Sequence, residues 1–147
     1  MASATEISVN LSNGMLDAIN ALLNEGTGNA IINIYSGSIP ASCEATLGAA
    51  TLLGTCVMNA TPFQAAASSS INANSITDDS SADTSGTASF FRVYSSNSGT
   101  DASKLACHIQ GSAGEAADST DMTLDDKNIV AGGVISVTDY DITMPTE

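Results

Sequence analysis

The side chains that could do chemistry in this chain are few: one histidine, three cysteines and two runs of aspartate. A nucleophile needs a base within reach, and His108 is the sole imidazole. On a strand, successive side chains alternate between faces, so its neighbour Cys107 points away from it. The spacing argues against a Cys-His dyad and leaves His108 as a strand residue at or near solvent. No G-x-S-x-G, P-loop or G-x-G-x-x-G pattern occurs. Asp78, Asp79 and Asp83 form one acidic run, and Asp118, Asp121, Asp125 and Asp126 another. Such clusters raise the question of a hard cation, but neither has the D-x-[DN]-x-[DN]-G spacing of a calcium loop. They read as solvated turns that keep the chain soluble. Paired carboxylates could also hydrolyse glycosides, in grooves built with aromatic platforms, yet the chain has three Phe, three Tyr and no Trp. The expectation is a protein that is not an enzyme, with no catalytic residue, cofactor-binding residue or metal site.

Cys43, Cys56 and Cys107 cannot all pair within one chain, and their spacing matches no zinc knuckle or ribbon. Buried free thiols are the first expectation. Cys43 and Cys56 flank a Gly/Ala segment short enough to close as a hairpin, so a disulfide between them is the alternative in an oxidising place. Asn10-Leu11-Ser12 and Asn59-Ala60-Thr61 match the glycosylation acceptor pattern. The start, Met1-Ala2-Ser3-Ala4, lacks the basic segment and apolar run of a secretion signal, so both matches read as chance and synthesis as cytoplasmic. Sixteen acidic residues against three Lys+Arg give a net charge of −13. Arg92, Lys104 and Lys127 cannot neutralise a phosphate backbone, which argues against nucleic acid, and an anionic membrane surface is disfavoured for the same reason.

With 147 residues the chain is one domain's worth. Its 36 Ser and Thr and 12 Gly suit short strands and turns better than long helices, and the scarcity of large residues predicts a thin core. Residues 1–11 have no clear period and read as an N-terminal arm or edge strand, leaving 12–147 as a β-rich domain. Met15, Leu16, Ile19, Leu22 and Leu23 share a helical stripe. They predict a helix over residues 13–24, capped at Ser12 or Asn13, stopped by Gly26 and Gly28, and packed by that stripe onto a sheet.

Strands are predicted over residues 30–36 and 51–58, the second marked at Gly54 by a bulge or close backbone approach. Residues 65–74 read as an exposed or extended segment. Residues 86–94 read as a central strand, with Ala88, Phe90, Arg92 and Tyr94 on one face and Phe91 and Val93 on the other. A turn at Asn97-Ser98-Gly99 leads into residues 104–109, where Leu105, Cys107 and Ile109 point one way and Lys104, Ala106 and His108 the other. Short strands follow at 122–124 and 129–130. A long last strand over 134–144 changes its buried face near Thr138-Asp139, as at a bulge. The predicted fold is mainly β, a single β-sandwich or barrel-like domain with one N-terminal amphipathic helix.

The Met15-Leu16-Asp17-Ala18-Ile19 helix, Ile34-Tyr35-Ser36-Gly37 with Pro40, Thr51-Leu52-Leu53-Gly54, Thr87-Ala88-Ser89-Phe90-Phe91-Arg92, Gln110-Gly111-Ser112-Ala113-Gly114 and the closing Ile142-Thr143-Met144-Pro145 run through nearly the whole chain. Together they resemble a family of small tailed-bacteriophage virion proteins. The resemblance implies a structural role, foremost a decoration or cement protein on the capsid exterior, bound to the major capsid protein. A tail or neck component is the second role it allows. A small carbohydrate- or calcium-binding β-sandwich module is the competing class. A thin core and unpaired strand edges fit one part of a symmetric homo-oligomer, expected to be a trimer because icosahedral shells offer three-fold positions.

Overall fold

The computed structural model describes residues 6–26, 28–95 and 107–145. The predicted turn at Asn97-Ser98-Gly99 and the strand positions Lys104, Leu105 and Ala106 lie outside these residues. Helix α1 (Val9–Leu23) begins earlier than its stripe suggests, because the Ser8 hydroxyl accepts from the Leu11 amide and serves as N-cap. Ser12, the expected cap, instead lies buried, donating back to the Val9 carbonyl at 3.0 Å and meeting the Ser69 hydroxyl at 2.6 Å. Residues 9–11, read as part of an arm or edge strand, therefore form the first helical turn.

The fold is mainly β. Strands β1 (Ile31–Ser36), β2 (Thr51–Val57), β3 (Ser70–Asn72), β5 (Phe90–Tyr94), β6 (Cys107–Gly114), β7 (Met122–Leu124) and β9 (Val137–Thr143) form one seven-stranded sheet in the order β2-β1-β5-β6-β7-β9-β3. β4 (Gly86–Thr87) and β8 (Asn128–Ile129) make a separate pair. All neighbours are antiparallel except β6 and β7. The sheet and α1 pack as a sandwich-like domain around Leu16, Leu23, Ile32, Ile34, Phe63, Ile71, Phe91, Val93, Met122 and Leu124. The Tyr140 ring meets Phe63 and Phe91 edge-on at 5.4 and 5.1 Å. Among the described residues no helix is long and apolar enough to cross a membrane.

β5 has all five residues buried because both of its faces are covered. Phe91 and Val93 enter the core, while on the other face Arg92 reaches the loop joining β1 to β2, Tyr35 stacks on Phe90 at 5.0 Å and the Tyr35 and Tyr94 hydroxyls meet. Ala88 joins the core rather than the Arg92 face. Gly54 meets the expectation of a close approach. The β1–β2 register slips between Ile34 and Tyr35, and a methyl on Gly54 would collide with the Asp79 carboxylate and with Ile135. β9 slips against β7 between Thr123 and Leu124, which leaves Thr138 unpaired where the buried face was expected to change. The long last strand is shorter than predicted: Ile135 makes only an isolated bridge to Asp79, and Val134 is exposed.

Two readings of strand pairing need correction, the shared face of Cys107 and Ile109 and the unpaired sheet edges. Cys107 pairs with Tyr94 and Ile109 with Val93 because the β5–β6 register slips at His108, so Cys107 and Ile109 lie on different faces. Edge strand β2 is not open: Val57 exchanges both backbone bonds with Thr77, and the Asp83 amide donates to Leu53. Edge strand β3 is closed by residues 62–64, through Gln64 to Asn72 and Asn74 to Pro62. The chain covers its own sheet edges, as β proteins commonly do.

Candidate functional site

His108 and the aspartates gather into no common cluster among the described residues. His108 is exposed at the β5–β6 slip, while Cys107 beside it is buried. The aspartates act mainly as local acceptors. Asp79 takes the amides of Thr55 (2.8 Å) and Ser81 (2.9 Å), Asp121 takes the amide and hydroxyl of Ser112, and Asp126 takes the amide of Asn128. Asp118 accepts from the Glu115 amide and pairs with Lys127 at 2.7 Å, and that ammonium holds its carboxyl below the usual range. Carboxylates near each other but aimed at backbone N–H groups do turn chemistry. Among the described residues no three His, Cys, Asp or Glu side chains gather as a metal set.

Cys56 and Cys107 are buried free thiols, as first expected, Cys43 is a half-exposed one, and the alternative Cys43–Cys56 pair is not formed. Cys56 is fully buried, its thiol 3.6 Å from the Ile135 carbonyl, so it does not face Cys43. Cys43, in the β1–β2 loop, lies instead 2.9 Å from the Cys107 sulfur. That contact spans 64 positions of sequence, and no local pattern announces it.

Helix α1 is where the surface departs most from a self-contained domain. At 3.6 residues per turn it carries three stripes. Ser12, Leu16, Ile19 and Leu23 face the core, with all but the half-buried Ile19 fully buried. Asn13, a predicted cap, joins Asp17, Asn20 and Asn24, polar residues outside the predicted stripe, to form a polar zipper. They bond the backbone at Ser69, Ala66, Phe63 and Ala60, with Asn20 both donating to the Phe63 carbonyl and accepting from its amide. The sequence signal for it was the 4-3-4 spacing of Asn and Asp on a helix with almost no charge.

The third stripe is Leu11, Met15, Ala18 and Leu22, also at 4-3-4 spacing. Its large members are 53, 49 and 47% exposed, and Ala18 is exposed too. Met15 and Leu22, expected to pack on the sheet, therefore face outward. This is the a/d spacing with which helices join other helices. Asp17 is the only charged residue between Val9 and Leu23, and it is engaged by the Ala66 amide, so the stripe is flanked by little charge in a chain of net charge −13. No protein-family model, no curated protein and no solved structure matches the chain.

Proposed function

We propose that this chain is a non-enzymatic structural subunit that works as a homotrimer on the exterior of a tailed-phage capsid, as a cement protein bound to the major capsid protein. The single observation that carries the oligomeric part is the outward apolar stripe of α1, Leu11, Met15, Ala18 and Leu22. An amphipathic helix buries its apolar face against the protein. This helix buries one apolar stripe and leaves a second, at coiled-coil spacing, on its surface. Like-charged copies meet most readily where charge is low, and this helix carries a single charged side chain, Asp17. Covered sheet edges remove the other route to self-pairing, so contact between copies runs through α1 rather than through strands. The virion role rests on the family resemblance of the sequence, and it agrees with aspartates spent on turns.

The test is the copy number in purified particles, counted by mass spectrometry, together with co-sedimentation of the chain with undecorated capsids. Hundreds of copies and capsid binding support the proposal. A few to a few dozen copies move the protein to the neck or tail, and no association with particles overturns the virion role. A deletion of residues 1–7, which keeps the Ser8 cap, tells whether the segment before α1 contributes to attachment.

A further inference from the structure

We infer that Cys43 and Cys107 are a site of covalent modification: an intrachain disulfide that staples the β1–β2 loop to strand β6. The inference does not depend on the proposed virion role. The two sulfurs are 2.9 Å apart, and a network that leaves the loop little freedom holds them there. Arg92, 4% exposed, reaches up from β5 and donates through Nη2 to the carbonyls of Ser42 (3.0 Å) and Ala45 (2.9 Å), which bracket Cys43. Its Nε donates to Gln110 Oε1 at 3.0 Å, and the Gln110 amide nitrogen donates to the Pro40 carbonyl at 2.7 Å. At the start of the loop the Ser89 hydroxyl donates to the Gly37 carbonyl at 2.6 Å. Cys107 is fixed from the other side by its place in the sheet opposite Tyr94. A guanidinium buried on a sheet face and spent on loop carbonyls is a costly arrangement unless the loop's position matters. What it positions is a thiol against a thiol.

The two thiols differ in exposure, which sets the order of the exchange, and the raised Cys107 thiol makes the second step the slower one. Cys43 is half-exposed and can meet a soluble oxidant, whereas Cys107 is buried, and that burial together with the Cys43 contact pushes its thiol up to about 12. With a small-molecule disulfide such as oxidised glutathione, the Cys43 thiolate attacks one sulfur, forms a mixed disulfide and releases one glutathione thiolate. The Cys107 sulfur, on losing its proton, attacks Cys43 Sγ and expels the second glutathione thiolate. Two protein thiols lose two protons and two electrons, and the oxidant becomes two thiols. The Arg92 charge nearby favours the Cys107 thiolate in the second step. In a reducing compartment the pair stays open, and in an oxidising one it closes. Cys56, shut in the core, takes no part.

The experiment incubates the full chain, folded and reduced, with oxidised glutathione, then blocks free thiols and maps peptides without reduction. The expected result is a peptide linked through Cys43 and Cys107, Cys56 alkylated only after denaturation, a raised thermal midpoint, and reversal of both changes by dithiothreitol. Cys43→Ser should lack the link and the rise, and Cys56→Ala should keep both. A link between Cys43 and Cys56, a link between chains, a stable glutathione adduct at Cys43, or no link while the chain stays folded would each overturn the inference.

Discussion

Replacing Arg92 by alanine removes the pin of the β1–β2 loop, and its cost can be worked from the contacts it makes. The hydrogen bonds lost among the described residues, all from a charged donor, include one to Gln110 Oε1 and two to the carbonyls of Ser42 and Ala45. Bonds to charged groups are each worth about 1.5 to 3 kcal/mol. Two effects pull the sum down. Deleting the buried cation also removes its desolvation cost, and Ser42 is exposed and Ala45 half-exposed, so their carbonyls can turn to water. The net loss should be about 2 to 4 kcal/mol, which for a chain of 147 residues lowers the melting temperature by about 6 to 13 °C. Arg92→Lys should lose about half as much, since one ammonium can serve the carbonyl pair but cannot also lie in the plane of Gln110. Urea unfolding at one fixed protein concentration measures the loss, with an unchanged slope showing that the denatured state is the same. Hydrogen exchange should place the loosening in residues 38–47. A parent-like midpoint for Arg92→Ala would refute the reasoning, because it would mean that the loop is held by something else.

Three further outcomes follow from the same contacts. Leu16→Ala empties a fully buried position beneath α1 and should cost about 2 to 5 kcal/mol by thermal or urea unfolding; an unchanged midpoint would mean that this stripe is not the packed one. Gly54→Ala drives a methyl into Ile135 and into the Asp79 carboxylate, which is held by the Thr55 amide, and should cost about 1 to 3 kcal/mol in the same assay. Stability should fall at alkaline pH, because burial pushes the Cys56 thiol up to about 11 and raises Cys107, Tyr94 and Tyr140 as well. A raised folded-state pKa means that the stabilisation is complete below the unfolded values, near 8.5 for thiols and 10 for tyrosine, and is lost as pH climbs past them. Melts from pH 7 to 11 should decline from about pH 9, and a flat profile would contradict the burial of these groups.

Patterns with a short period were legible in the sequence. The alternation through Phe90 to Tyr94, the glycine at the β1–β2 slip and the change of face near Thr138 all depend on neighbours within a few positions, and they stand in the fold. Features that depend on competition or on distant partners were not legible. Ser8 captures the helix cap because Ser12 is drawn inward by Ser69, a residue 57 positions away. The five apolar residues of the predicted stripe form one broad arc by periodicity, and only the actual packing divides it into a buried Leu16 and Leu23 and an exposed Met15 and Leu22. The slip at His108 parts Cys107 from Ile109 and turns Cys107 toward Cys43, which no count of cysteine spacings could reveal.

The central claim is that copies of this chain meet through the outward stripe of α1, and sedimentation equilibrium tests it most directly. The chain should sediment at three times its own mass, with association strengthening as salt screens a charge of −13 per copy. Met15→Glu combined with Leu22→Glu alters only exposed side chains and should leave the circular dichroism spectrum unchanged while reducing the species to a monomer. A wild-type chain that stays monomeric at every concentration and salt, or a double variant that associates as the wild type does, would contradict the account.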